Sequence, residues 1–258
     1  MDVLPRLRPI GRPEALRKLS ASALAVTVRV SAARLLAPLQ MSVGVPNPSE
    51  RVVHEVKEEL LERPSAVLLQ LDLRNASDLV SMPAAVAYLL RAFPLLHLHL
   101  ESVYRAASAR IAYGWVDDAT AVDAAAGSPS RLWLEARRGV QQGDPLGPLL
   151  FATAMHLEVF RLAGTHPSAV VRAVHDDVVV VASLEDTPAV LTTAAAACAA
   201  VDAELATAKC AAWSPAGAVA PAGWPARWHA DVLRPFSIPL GTDALVASAV
   251  DTLAADHR

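Results

Sequence analysis

Two β-branched runs, Ala169-Val170-Val171-Arg172-Ala173-Val174 and Val178-Val179-Val180-Val181-Ala182, are separated only by His175-Asp176-Asp177. β-branched side chains suit a pleated surface, and a link this short leaves room for nothing but a tight reversal. The spacing predicts a hairpin with an acidic tip. Aspartate forms turns and tolerates unusual backbone angles, so the pair taken alone reads as turn chemistry.

A third carboxylate changes that reading. Val67-Leu68-Leu69-Gln70-Leu71-Asp72-Leu73 is a short apolar run after a proline, predicted to be a buried strand ending near Asp72. An aspartate there is costly unless it lies in a cleft, is hydrogen-bonded or binds a cation. If the two strands are neighbours, Asp72 and Asp176 can share hard cations through oxygen ligands, as Mg²⁺ requires. Two such ions about 3.5 to 4 Å apart activate the attacking oxygen and stabilise the leaving one in phosphoryl transfer.

Other segments are simpler to read. Pro83 to Phe93 is predicted as a helix, and Gly143-Asp144-Pro145 places a capping carboxylate and a first-turn proline before an apolar helix at Leu149 to Met155. The alanine-rich stretch Thr192 to Ala208 reads as a helix, since Leu191, Val201 and Leu205 recur at near-helical spacing. Breaks at Val45 to Ser49 and Gly127 to Ser130 are too short to be linkers, so one multi-lobed domain is expected.

The chain is 53% hydrophobic and carries a net charge of −3, which taken whole does not suggest a polyanion partner. Its first 40 residues differ, with seven basic groups against two acidic ones, a face able to meet phosphates or simply to be solvated. Cys198 and Cys210 are too few for a disulfide framework. The N-terminal MDVLPRLRP lacks a signal-type apolar core, and no stretch reaches about 18 unbroken apolar residues. An intracellular chain, nuclear or cytoplasmic and not secreted, with no membrane partner, is the expectation.

Four blocks together resemble the reverse transcriptases of non-LTR retrotransposons. Leu71-Asp72-Leu73-Arg74-Asn75-Ala76 resembles the first palm motif, and Ala173-Val174-His175-Asp176-Asp177 the second catalytic strand-turn. The longest text match is Arg138-Gly139-Val140-Gln141-Gln142-Gly143-Asp144-Pro145-Leu146-Gly147-Pro148-Leu149-Leu150-Phe151, similar to the family's template- and nucleotide-positioning segment. Ala208-Lys209-Cys210, the fourth block, stands where the family has a lysine-bearing motif; beyond the four, Ile238-Pro239-Leu240-Gly241 is a weaker echo that resembles the strand-turn that grips the primer end.

The resemblance implies an α+β right-hand polymerase fold with an antiparallel palm sheet. Residues 1–62 would be fingers, 63–245 palm with an interleaved fingers segment, and 246–258 a thumb remnant. It implies an RNA-directed DNA polymerase with two Mg²⁺ ions (or Mn²⁺), an RNA template, a DNA or RNA primer and deoxynucleoside triphosphates. Asp72 and Asp176 would hold the metals, with the Leu73 carbonyl as a further ligand and Asp177 assisting. Gln142, Gly143 and Asp144 would line the nucleotide and template site, and Lys209 would protonate the departing pyrophosphate. Without the family context, Gln142 reads equally as a loop amide and Lys209 as an exposed helix-end lysine.

Two positions depart from the family pattern: Ser77 and Val174 stand where aromatic residues are usual. The carboxylates remain while the rings that select the sugar and pack beneath the primer are gone. A catalytically silent, domesticated binding remnant is therefore the competing expectation. A metal phosphohydrolase using His175-Asp176 with His54, His97 or His99 ranks behind it, because that class sets its pair on helices and valine runs flank this one.

Overall fold

The computed structural model of the chain describes residues 15–74, 76, 80–105, 110–113, 132–135, 139–141, 143–241 and 246–247. In chain order the elements are α1 (Ala15–Leu36), α2 (Pro48–Glu62), β1 (Val67–Leu71), β2 (Leu73–Arg74), α3 (Pro83–Ala92), α4 (His97–Leu100), β3 (Arg110–Tyr113) and β4 (Leu132–Glu135). They continue with α5 (Gly147–Thr165), β5 (Val170–Val174), β6 (Asp177–Ala182), α6 (Thr187–Ala200), β7 (Glu204–Leu205), β8 (Ala211–Trp213), β9 (Arg227–His229), β10 (Val232–Leu233) and β11 (Leu240–Gly241). Ser77, Gln142, the Gly127–Ser130 break and residues 248–258 of the expected thumb remnant lie outside the described residues.

A five-stranded sheet ordered β5-β6-β1-β8-β9 organises the molecule. The predicted hairpin forms as β5 and β6, and β1 lies between β6 and β8, antiparallel to both. The expectation of an antiparallel sheet holds for these four strands and fails at the edge, where β9 runs parallel to β8. The reason is the long crossover between them, which brings the chain back to the same end before it re-enters the sheet. Trp224 of that crossover meets Trp228 of β9 edge-on, with centroids 5.7 Å apart, and Trp228 Nε1 donates to Ala218 O of the crossover at 2.9 Å.

Strand periodicity divides the sheet between two cores. Val67, Leu69, Leu71, Val178 and Val180 face one cluster, with α1, α3, α5 and α6. Leu68, Val179, Val181, Ala211 and Trp213 face the other, with α2 and the β10–β11 hairpin. Cover on both faces explains why β1 and β6 are apolar almost throughout rather than alternating.

Two helix expectations need correction. The alanine-rich helix stops at Ala200 instead of running to Ala208. Asp202 takes a left-handed φ of 58° and Ala203 N closes the helix onto Cys198 O at 2.9 Å, freeing Glu204–Leu205 to pair with β2. The helix after Gly143-Asp144-Pro145 begins at Gly147 with Pro148 in its first turn, so Asp144 and Pro145 precede it.

Among the described residues one helix, α1, is long and apolar enough to cross a membrane by length and composition, with a mean hydropathy of 1.4 over its most apolar window and 22% of that window buried. Its buried side, Ala21, Val28, Ala32 and Leu36, belongs to the larger core. Cys198 and Cys210 are both buried free thiols.

Candidate active site

Because Val174 pairs with Asp177, the reversal is made by His175 and Asp176 alone, and Asp177 is the first residue of β6. The tip is thus one residue shorter than the sequence suggested. His175 sits at φ 56°, a left-handed conformation unfavourable for a residue with a side chain by about 1 kcal/mol or more.

Gln40 holds this conformation. Its Nε2 donates to His175 O at 3.0 Å while His175 N donates to its Oε1 at 3.0 Å, and the residue is fully buried. The backbone on either side reinforces the clamp: Ala173 N donates to Leu39 O at 2.7 Å and Met41 N donates to Ala173 O at 2.8 Å. The segment joining α1 to α2 therefore acts as an extra partner for the acidic turn.

Asp72 reaches the same place from β1. Leu71 pairs with Val178, so the next step along the two strands sets Asp72 beside Asp177, with Asp176 following at the turn. Asp72 is anchored through its backbone: its O accepts from Ala206 N at 2.8 Å, and its N lies 3.4 Å from Cys210 Sγ. The Ala206–Asp72 bond makes Leu73 and Leu205 a non-hydrogen-bonded pair, so the Leu73 carbonyl is directed away from β7.

The three carboxylates repel one another. Burial first, then the charges of Asp176 and Asp72, push the Asp177 carboxyl above its ordinary value. Burial, which favours the neutral ring, holds the His175 imidazole below its usual range against the opposing pull of Asp176. Lys209, in a 3₁₀ turn at Thr207–Lys209, brings its Nζ to 3.9 Å from Asp72 Oδ1. Among the described residues no group of three or more His, Cys, Asp or Glu side chains is gathered to hold a metal ion. Carboxylate oxygens are donors that suit a hard cation, and the ammonium of Lys209 places a positive charge beside Asp72.

The segment before α5 is braced from below. Asp144 is 4% exposed: its Oδ1 accepts from Leu146 N at 2.9 Å, its Oδ2 accepts from Tyr104 Oη at 2.8 Å, and Arg17 lies 3.5 Å away. Arg17 also donates to Gln141 Oε1 at 2.6 Å. Burial and the Asp144 charge raise the Tyr104 phenol, keeping it protonated as the donor. The Asp144 carboxylate, expected at the nucleotide pocket, is committed inward, whereas Gly143 is exposed at φ 98°, a conformation natural to glycine.

Gln40, Tyr104, Arg17 and Cys210 support the site, yet nothing local in the sequence identifies them in these roles. Each acts on a residue at least 30 positions away, and their only legible signal is polarity within apolar surroundings. Val174 is buried beside the turn in the α2-side cluster.

No protein-family model and no curated protein matches this chain in sequence. Solved structures do match. Apo telomerase from Candida tropicalis superposes with a TM-score of 0.55 at 10% identity, over 88% of this chain and 39% of that one. The same organism's apo enzyme truncated from its C-terminal domain gives 0.51 at 12% identity, over 77% and 40%. Candida albicans telomerase in complex with the TWJ fragment of telomeric RNA gives 0.50 at 12% identity, over 88% and 36%. The chain spans about two fifths of the length of these neighbours and shares their fold over the part that superposes.

Proposed function

We propose that the chain is an RNA-directed DNA polymerase of the non-LTR retrotransposon type, transferring nucleotides to a primer 3′-hydroxyl on an RNA template. The observation that carries the reading is the register of β1 against β6, which sets Asp72 beside Asp177 and next to Asp176 at one sheet end. In this reading the five-stranded sheet is the palm, and the segment around Gly143 meets template and nucleotide.

Asp72 and Asp176 would hold Mg²⁺, with the Leu73 carbonyl as a further oxygen ligand and Asp177 assisting. The bound ions supply charge neutralisation of the transferring phosphoryl group. Gln40 fixes the peptide that aims Asp176, and Cys210 and Ala206 fix the backbone of Asp72. Lys209, within reach of Asp72, would exchange that contact for the departing pyrophosphate and give it a proton.

A second reading, a silent nucleic-acid-binding remnant, is favoured by Val174, an aliphatic side chain buried beside the turn where the family it resembles has an aromatic ring. Primer extension on an RNA template in Mg²⁺ or Mn²⁺ separates the two. Wild-type protein should extend the primer and Asp176→Asn should lower extension by about 100-fold or more. Equal product from both proteins, or none from either, sinks the polymerase reading.

A further inference from the structure

Two opposite sides of α1 are apolar. Ala21, Val28, Ala32 and Leu36 face the larger core. Leu19, Ala23, Val26 and Val30 lie about half a turn away on the same helix and are exposed, the three larger side chains by 68%, 73% and 57%. Their spacing of four, three and four residues follows a 3.5-residue repeat, the period that keeps one seam of a helix facing a partner helix. Core packing uses only the first side.

The outer seam is narrow. Ser20, Thr27 and Arg34 border it on one flank, Ser22 and Arg29 on the other. Ser20 Oγ donates to Arg17 O at 2.9 Å and Thr27 Oγ1 donates to Ala23 O at 2.8 Å, so both hydroxyls can be covered without losing a hydrogen bond. A helix lying in a membrane interface presents a broader apolar face, commonly with Trp or Phe, and α1 has no aromatic residue.

Charge identifies the partner. The charged residues of α1 are Arg17, Lys18, Arg29 and Arg34, with no acidic residue along its length. Arg17 is turned to Asp144 and Gln141, whereas Lys18, Arg29 and Arg34 are exposed, and among the described residues none of these three has an ion-pair partner. Arg29 and Arg34 stand on opposite flanks of the seam, at the positions whose charges select a coiled-coil partner. A second copy, in either direction, offers these arginines only Arg, Ser or Thr, while carboxylates on a facing helix would pair with both. We propose that the outer seam of α1 docks an acidic amphipathic helix of a partner protein, whose apolar residues pack on Leu19, Ala23, Val26 and Val30 and whose carboxylates meet Arg29 and Arg34.

A fluorescein-labelled peptide of about three heptads, with Ile and Leu along its seam and Glu at the flanks, serves as the probe in fluorescence anisotropy. Wild-type protein should bind it about tenfold or more tightly than the same peptide carrying Lys at the flanks. Leu19→Ser/Val26→Ser should weaken binding about tenfold or more while Tm stays unchanged, because both side chains are exposed. Arg29→Glu/Arg34→Glu should reverse the preference, a gain of binding to the Lys-flanked peptide that misfolding cannot produce. Equal binding of the two peptides, or a seam variant that binds as wild type does, overturns the proposal. A wild-type dimer in sedimentation that Leu19→Ser/Val26→Ser renders monomeric overturns it in favour of a second copy. Flotation with phosphatidylserine vesicles that is lost in the same variant, without peptide binding, assigns the face to lipid instead.

Discussion

The side-chain amide of Gln40 satisfies both backbone polar groups of His175, each at 3.0 Å, across 135 positions of sequence. The contact holds the acidic turn in its left-handed conformation from outside the hairpin. Gln40→Ala strips a buried N–H and a buried C=O of their partners and leaves a cavity, at a cost of about 2–4 kcal/mol. Urea denaturation reads the loss directly. Stability within about 0.5 kcal/mol of wild type would mean that the hairpin holds its own turn.

Asp177 makes stability depend on pH. Its folded-state pKa is raised, by burial and then by Asp176 and Asp72, so the native protein binds more protons than the unfolded chain between the ordinary and the raised value. Stability is highest below the ordinary carboxylate range and declines as pH rises through that interval. Asp177→Asn removes the repelled charge: near neutral pH its Tm should rise by about 1–3 °C, and the gain should vanish in acid. Calorimetry at several pH values checks this, and a lower Tm for the variant near neutrality would contradict it.

Tyr104 is the hydroxyl donor to the buried Asp144 carboxylate, at 2.8 Å. Tyr104→Phe preserves the ring and deletes that donor, costing about 1–3 kcal/mol. Chemical denaturation measures it, and a neutral result would show that Arg17 and the Leu146 amide suffice.

Leu69, 1% exposed at the centre of the sheet, packs in the larger core. Leu69→Ala should cost about 2–5 kcal/mol. Leu98→Ala, at a position 84% exposed, should stay within about 0.5 kcal/mol. Comparable losses at the two positions would argue against this division of core and surface.

Gly241 lies so close to β10 that a Cβ there would stand 2.8 Å from Val232 Cγ2 and 2.9 Å from Asp231 O. Gly241→Ala should strain the β10–β11 hairpin by about 1–3 kcal/mol. A thermal melt unchanged from wild type would show that the hairpin shifts freely.

What local chemistry encodes was legible. Valine runs around a three-residue link gave a hairpin, an apolar run after a proline gave β1, and Pro83 opened α3, because each depends on neighbours in sequence. Misread segments lay where a distant partner or a local closure intervened. The helix expected to reach Ala208 ends at Ala200, where Asp202 closes it and β2 draws Glu204–Leu205 into a pair. The antiparallel sheet acquires a parallel edge because a crossover sets the direction of β9.

The candidate site divides the same way. By itself the sequence determined that Asp72 and Asp176-Asp177 end apolar strands, since a run of buried side chains terminating in carboxylates can be read from residue type and spacing. Only the tertiary structure decided that β1 lies against β6 in the register that brings the carboxylates together, that Gln40 clamps the turn, and that Asp144 faces inward. Strand order, register and the partners of buried polar groups are set by competition among contacts across the whole chain, and no window of sequence contains that competition.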